Sequence, residues 1–180
     1  CTETTPRTVQ VFPVPVIDAG PDWDLLIGGE VKLEASVIKG AELEYIWFPE
    51  AGLSNSKALQ PRASPLITTT YRLLALSPSG CQAIDEVTVK VHDDLRIPNA
   101  FSPNGDGKND TWSLQYINTW TKADIRIYNR YGQLVFYAQP YTSPWDGKNN
   151  TQDVAEGVYY YIIEPNNGQP RRTGSITLVR

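Results

Sequence analysis

The chain of 180 residues is 41% hydrophobic and 20% charged. That balance excludes an intrinsically disordered chain, and no run reaches the ~18 apolar residues that a spanning helix requires. Net charge is −4 with basic residues scattered singly, so there is no basic footprint for nucleic acid or an anionic membrane surface.

Gly 13, Pro 14 and Tyr 10 favour short strands joined by tight turns. Cys1 is followed eight and ten residues later by Val9 and Val11, and Cys81 at the same offsets by Val89 and Val91. Both valine pairs run into a break, Pro13 and Pro15 after the first and His92-Asp93-Asp94 after the second. Residues 1–12 are therefore expected to be the last strand of a preceding repeat module. Together with the absence of Met, this makes the chain the expected end of a longer array or a processed product. A Cys1–Cys81 disulfide closing the first module is the competing reading, and it requires the two positions to lie within sulfur reach.

Residues 13–93 read as the first complete module. Val31, Leu33, Ala35 and Val37 alternate with polar residues, the period-2 pattern of a half-buried strand. Leu43, Tyr45 and Trp47 predict a second strand that stops at Pro49. Tyr71, Leu73 and Ala75 predict a third, and Val87, Val89 and Val91 a fourth. Short strands at this spacing around an early Trp resemble an Ig-like or PKD-like β-sandwich. Leu33 and Ala35 stand where antibody domains carry a core Cys, so that disulfide is not expected. His92 reads as a solvated linker residue. Residues 1–93 carry 12 acidic and 7 basic side chains, and 94–180 carry 8 and 9. The shift falls just before a Pro/Asn/Gly/Asp-rich stretch from Ile97 to Gly107, which sets the boundary at 93–97.

Within 97–180, Asp124-Ile125-Arg126-Ile127-Tyr128 alternates, Asn129-Arg130-Tyr131-Gly132-Gln133 supplies a tight turn, and Leu134-Val135-Phe136-Tyr137 returns as a hairpin. Gly157 to Ile163 and Gly174 to Arg180 predict two more strands, joined at Asn166-Asn167-Gly168. Together they make a second small sandwich. The fold class expected is all-β, two tandem β-sandwich domains.

These residues carry a resemblance. Phe101-Ser102-Pro103-Asn104-Gly105-Asp106-Gly107-Lys108-Asn109-Asp110, Ile127-Tyr128-Asn129-Arg130-Tyr131-Gly132, Trp145-Asp146-Gly147-Lys148, Gly157-Val158-Tyr159-Tyr160-Tyr161 and the closing Gly174 to Arg180 stand in order. They resemble the gliding motility-associated C-terminal domain, the type B C-terminal domain of type IX secretion system cargo in Bacteroidetes. The module in front is similar to repeats of large adhesins of the SprB type. The resemblance implies a folded export address, recognised by the type IX translocon and its shuttle components. It further implies retention at the cell surface by an outer-membrane β-barrel of the PorP/SprF type. The candidate contact residues are Asn129, Arg130, Tyr131 and Gly132 at the hairpin turn, and Ile176, Leu178, Val179 and Arg180 at the terminal strand. An end strand offers unpaired backbone groups for strand addition.

Asn104, Asp106 and Asp110 alternate as the ligands of a calcium loop do, although Lys108 occupies a ligand slot and Gln115 stands where a bidentate Glu is needed. The competing reading is that these side chains cap turns. Trp145-Asp146-Gly147 reads as a core-plus-turn unit, and Tyr159-Tyr160-Tyr161 as two faces of one strand. An enzyme would need a carboxylate pair from Asp124, Asp146, Asp153, Glu156 and Glu164, and no spacing singles one out. No catalytic residues or other cofactors are expected. A carbohydrate-binding module appended to a secreted glycoside hydrolase is the alternative function.

Overall fold

The period-2 rows of the first module become eight strands in a computed structural model that describes residues 12–180. Cys1, and with it the predicted strand at the chain start and any Cys1–Cys81 pair, lies outside the described residues. The strands are β1 (Val16–Asp18), β2 (Trp23–Leu26), β3 (Val31–Lys32), β4 (Ser36–Lys39), β5 (Glu44–Phe48), β6 (Arg62–Ala63), β7 (Thr69–Leu76) and β8 (Gln82–His92). One layer is a four-stranded sheet in the order β2-β8-β7-β5, in which β2 runs parallel to β8. The other layer consists of the antiparallel pairs β1–β4 and β3–β6. Alternate side chains point into the space between the layers, so Leu33, Trp47, Tyr71, Leu73, Ala75, Val87 and Val89 are buried there. The Trp47 indole N–H reaches the carbonyl of Ala58 at 2.9 Å, and the Tyr71 hydroxyl donates to that of Ala51 at 2.8 Å. Both large side chains thus satisfy their polar ends inside the core. Burial pushes the Tyr71 hydroxyl pKa up.

The strand expected from Val31 to Val37 is two strands. The buried parity continues through Val31, Leu33 and Ala35, but the partner changes from β6 to β1. At the changeover Gly20, at φ +87°, brings its backbone so close to Glu34 that a Cβ would stand 3.0 Å from the Glu34 carbonyl oxygen. Side-chain alternation survives a change of ladder partner, whereas continuous pairing does not.

The second domain contains β9 (Ala100–Phe101), a 3-10 turn (Ile117–Thr119), β10 (Asp124–Tyr128), β11 (Leu134–Ala138), β12 (Lys148–Asn149), β13 (Gln152–Asp153), β14 (Gly157–Glu164) and β15 (Arg172–Leu178). Five strands form one sheet in the order β11-β10-β14-β15-β9, antiparallel except that β9 runs parallel to β15. The predicted hairpins β10–β11 and β14–β15 are both present. Opposite the sheet, the second layer is largely irregular chain, residues 102–123 and 139–156, with the short β12–β13 hairpin. Its apolar residues, Trp112, Leu114, Ile117, Trp120, Tyr141 and Trp145, close on Ile125, Ile127, Tyr159, Tyr161, Ile163, Ile176 and Leu178. The described residues form no α-helix, and no helix there is long and apolar enough to cross a membrane.

Leu95 lies in the second core, and so does Leu26, the last residue of β2. The modules therefore meet. The expected solvated linker residue His92 is instead half-buried. Its Nε2 lies 2.6 Å from Asp24 Oδ1, and its ring stacks on Tyr116 with centroids 4.6 Å apart.

Candidate functional site

At the β10–β11 turn Asn129 is a structural residue. Its side-chain carbonyl accepts the N–H groups of Tyr131 at 2.9 Å and Gln133 at 3.0 Å, and its amide donates to Gln133 Oε1. Its backbone N–H donates to Gln133 O, and its backbone carbonyl accepts from Gly132. Gly132 sits at φ +76°, a conformation glycine adopts without steric cost. The turn is therefore held by its own hydrogen bonds and presents Arg130 and Tyr131 outward. Tyr131 is 74% exposed, with the Arg130 guanidinium 5.0 Å from its ring centroid. Arg130 takes part in none of the ion pairs formed among the described residues.

Beside this tip lies a cleft of about 370 Å³ between Asn129-Arg130-Tyr131 and the chain from Gln152 to Tyr159. The wall formed by residues 152–159 is tied down by Arg180. Arg180 donates to Val154 O at 2.6 Å, its Nη2 lies 3.3 Å from Asp153 Oδ1, and its backbone N–H donates to Glu156 Oε1 at 3.2 Å. The Tyr159 hydroxyl donates to Ala155 O at 2.6 Å. Burial raises its pKa while the Arg180 and Arg130 charges pull it down, so at neutral pH the cleft wall carries a neutral phenol.

The terminal strand differs from its expected role. Ile176 and Leu178 are 0% and 1% exposed and form part of the core, because β15 turns that parity inward against β14 and the Trp145 layer. They cannot fill a partner's pocket without unfolding the sheet. Nor is the end of β15 an open edge. The N–H groups of Thr177 and Val179 donate to Asn99 O and Phe101 O, and β9 pairs with Thr177 and Leu178. Of the four terminal candidates Val179, 49% exposed, presents its side chain freely, and Arg180, also exposed, is tied to the cleft loop.

The outer face of the sheet carries residues that are not among the candidate contact residues. Tyr128 stands directly opposite Tyr160, and Arg126 opposite Ile162 and Tyr137. With Leu134 and Val158 they make an apolar, Tyr-rich surface. A shallow groove of about 680 Å³ crosses it between the Arg130 turn and Thr173-Ser175 of β15. The available signal was Val158, Tyr160 and Ile162, apolar on the parity opposite to the buried Tyr159, Tyr161 and Ile163, since a strand apolar on both parities presents two apolar faces.

The Asn104–Asp110 loop is closed by its own side chains. The Asp110 oxygens accept the N–H groups of Gly105 at 2.6 Å and Gly107 at 2.8 Å. Asp106 accepts from Lys108, and Asn104 from Asp106. Among the described residues no group of three His, Cys, Asp or Glu side chains is placed to hold a metal. These bonds are those of turn-capping side chains. Asp110→Ala should lower stability by only about 1 kcal/mol, because the two amides it releases are exposed and turn to water, and a chelator should leave the melting temperature unchanged. A chelator-induced drop would restore the calcium reading.

The Trp145 unit combines core and turn. The Trp145 indole N–H donates to Lys148 O at 2.8 Å, and Asp146 accepts the Lys148 N–H at 3.1 Å. Trp112 and Trp145 form a β-bridge, which Tyr141 locks by donating its hydroxyl to Trp112 O and accepting the Trp145 N–H. That phenol is pushed up to about 12, chiefly by burial. Four of the five candidate carboxylates pair with cations, Asp124 with Arg126, Asp146 with Lys148, Asp153 with Arg180 and Glu164 with Arg171, and Glu156 accepts the Arg180 backbone N–H.

Residues 95–178 match the family model of the CHU_C type IX secretion signal domain, which bears out the resemblance read from the sequence. Among solved structures, the PKD domain from KIAA 1837 protein aligns at 21% identity and TM-score 0.38, covering 48% of this chain and 94% of that one. A chimeric titin Z1Z2 functionalised with a KLER peptide from decorin aligns at 15% identity and TM-score 0.43, covering 94% and 98%. The N-terminal Ig1-2 module of the Drosophila receptor protein tyrosine phosphatase DLAR aligns at 12% and 0.38, covering 92% and 98%. No curated protein matches the chain.

Proposed function

We propose that the segment matching the CHU_C type IX secretion signal domain is the folded export and attachment address of a cell-surface adhesin of gliding bacteria, with no catalytic role of its own. The observation that carries this reading is the family match over residues 95–178, and it makes export to the cell surface or beyond the function of the segment. Recognition by the translocon and shuttle, and retention by an outer-membrane barrel of the PorP/SprF type, complete this reading. Docking runs through Arg130 and Tyr131, since the turn is rigid before it meets a partner and therefore loses little entropy on binding. Arg and Tyr are also the residue types that dominate interface energetics. Val179 extends this contact surface from the far end of β15.

The test is the double variant Arg130→Ala, Tyr131→Ala. Neither side chain is buried, so the melting temperature should hold within a few degrees while surface display falls roughly tenfold or more, the equivalent of about 1.4 kcal/mol of binding. Normal display of a stable double variant would refute docking through the turn.

A carbohydrate-binding platform is the second reading, favoured by the half-exposed rings of Tyr137 and Tyr160 on the outer face. Against it, Trp47, Trp112, Trp120 and Trp145 are buried and offer no stacking surface.

A further inference from the structure

The turn that follows β2 ends inside the second domain. Leu26 is 1% exposed and belongs to the apolar cluster of Leu95, Ile117 and Trp120. Four hydrogen bonds surround it. The Leu26 N–H donates to Thr119 Oγ1 at 3.2 Å, and the Glu30 N–H donates to Thr119 O at 2.9 Å. The Trp120 indole donates to Ile27 O at 3.0 Å, and the Asn167 amide donates to Gly28 O at 2.9 Å. The approach leaves no room for a side chain at Gly29, where a Cβ would stand 2.8 Å from Thr119 Oγ1 and 2.9 Å from Thr119 O. Thr119 is itself a buried polar residue, and Tyr116, whose carbonyl accepts its hydroxyl, carries the stacked His92 ring.

We infer that the turn Leu26–Glu30 is a structural part of the secretion-signal domain, so that this domain closes its core only when the module in front of it is folded. The surface made by Tyr116, Thr119, Trp120 and Asn167 is a receptor for a Leu-Ile-Gly-Gly turn supplied by the preceding β-sandwich. Withdrawing that turn exposes Ile117 and Trp120 and removes partners from the buried Trp120 and Thr119 groups. This inference stands on the contact geometry and is independent of the export reading.

Amide hydrogen exchange on the full chain tests it, read at Ile125, Ile127 and Ile163 in the centre of the second sheet. Gly29→Val breaks the docking, and Trp47→Ala unfolds or loosens the first module through its own core. Both should raise exchange at those three amides roughly tenfold or more, or about 1.4 kcal/mol. Leu66→Ala, on the exposed surface of the first module, should leave them unchanged. If Trp47→Ala melts the first module while Ile125, Ile127 and Ile163 keep their protection, or if Gly29→Val leaves those rates unchanged, the inference is overturned.

Discussion

Replacing Trp145 by Ala should destabilise the second domain by about 3–5 kcal/mol, the range for deleting a large buried aromatic side chain. The ring is fully buried and lies 5.2 Å from Phe101, 5.2 Å from Tyr159 and 6.3 Å from Phe136, centroid to centroid. It therefore joins β9, β14 and β11 to the irregular layer. Its indole N–H also closes the Trp145–Lys148 turn, so Ala adds the loss of a hydrogen bond to the cavity. Domains are stable by only about 5–15 kcal/mol, and each kcal/mol moves the melting temperature of a domain this size by roughly 4–8 °C. Calorimetry on the full chain should show the transition of the second domain lowered by tens of degrees. Trp145→Phe, which refills most of the cavity without the indole N–H, should recover more than half of that loss. A shift of only a few degrees in Trp145→Ala would mean that the irregular layer is not held through this residue.

Much of this architecture was legible because strand periodicity is local. Tyr71, Leu73 and Ala75, Val87 and Val89, and Ile125 and Ile127 are buried as their alternation requires, and Asn129 and Gly132 form the turn their chemistry favours. Ile176 and Leu178 obeyed the same rule. They alternate with Ser175 and Thr177, which marks them as inward-facing, so the apolar end expected to enter a partner's pocket belongs to this domain's own core. The missed features are those in which distant segments decide. Nothing near Val31–Val37 tells that the ladder partner changes at Glu34. Leu26-Ile27-Gly28-Gly29 has the composition of any exposed turn, and only the folded chain brings Thr119 and Trp120 against it, 93 residues away along the sequence in both the Leu26 and the Ile27 contact. The Asn129–Gly132 turn was legible through its chemistry. The cleft beside it was not, because its opposite wall comes from residues 152–159 and is fixed by Arg180.

Deleting residues 174–180 should abolish the fold of the second domain as well as surface display, a larger effect than loss of a contact end. β15 pairs with β14 over seven positions from Gly157↔Leu178 to Ile163↔Arg172, and the deletion leaves only Arg172 and Thr173. β9 loses its partner, and the cleft loop loses the Arg180 ties. Ile176 and Leu178 each contribute about 1.5–3 kcal/mol through burial, so their removal alone takes about 3–6 kcal/mol before the lost ladder hydrogen bonds are added. Against a total of about 5–15 kcal/mol, no stable fold remains. The sheet β2-β8-β7-β5 and its core around Trp47 and Leu73 are built without β15, so the first module should keep its exchange-protected strands. A truncated chain displayed at the normal level would refute the export reading outright. Loss of display by deletion leaves open whether a contact or the whole fold was lost, and Val179→Asp separates these. Val179 is half exposed, so this variant should keep the melting temperature within a few degrees. Reduced display of such a folded variant places the end of β15 in the docking surface, and undiminished display confines docking to the Arg130–Tyr131 turn.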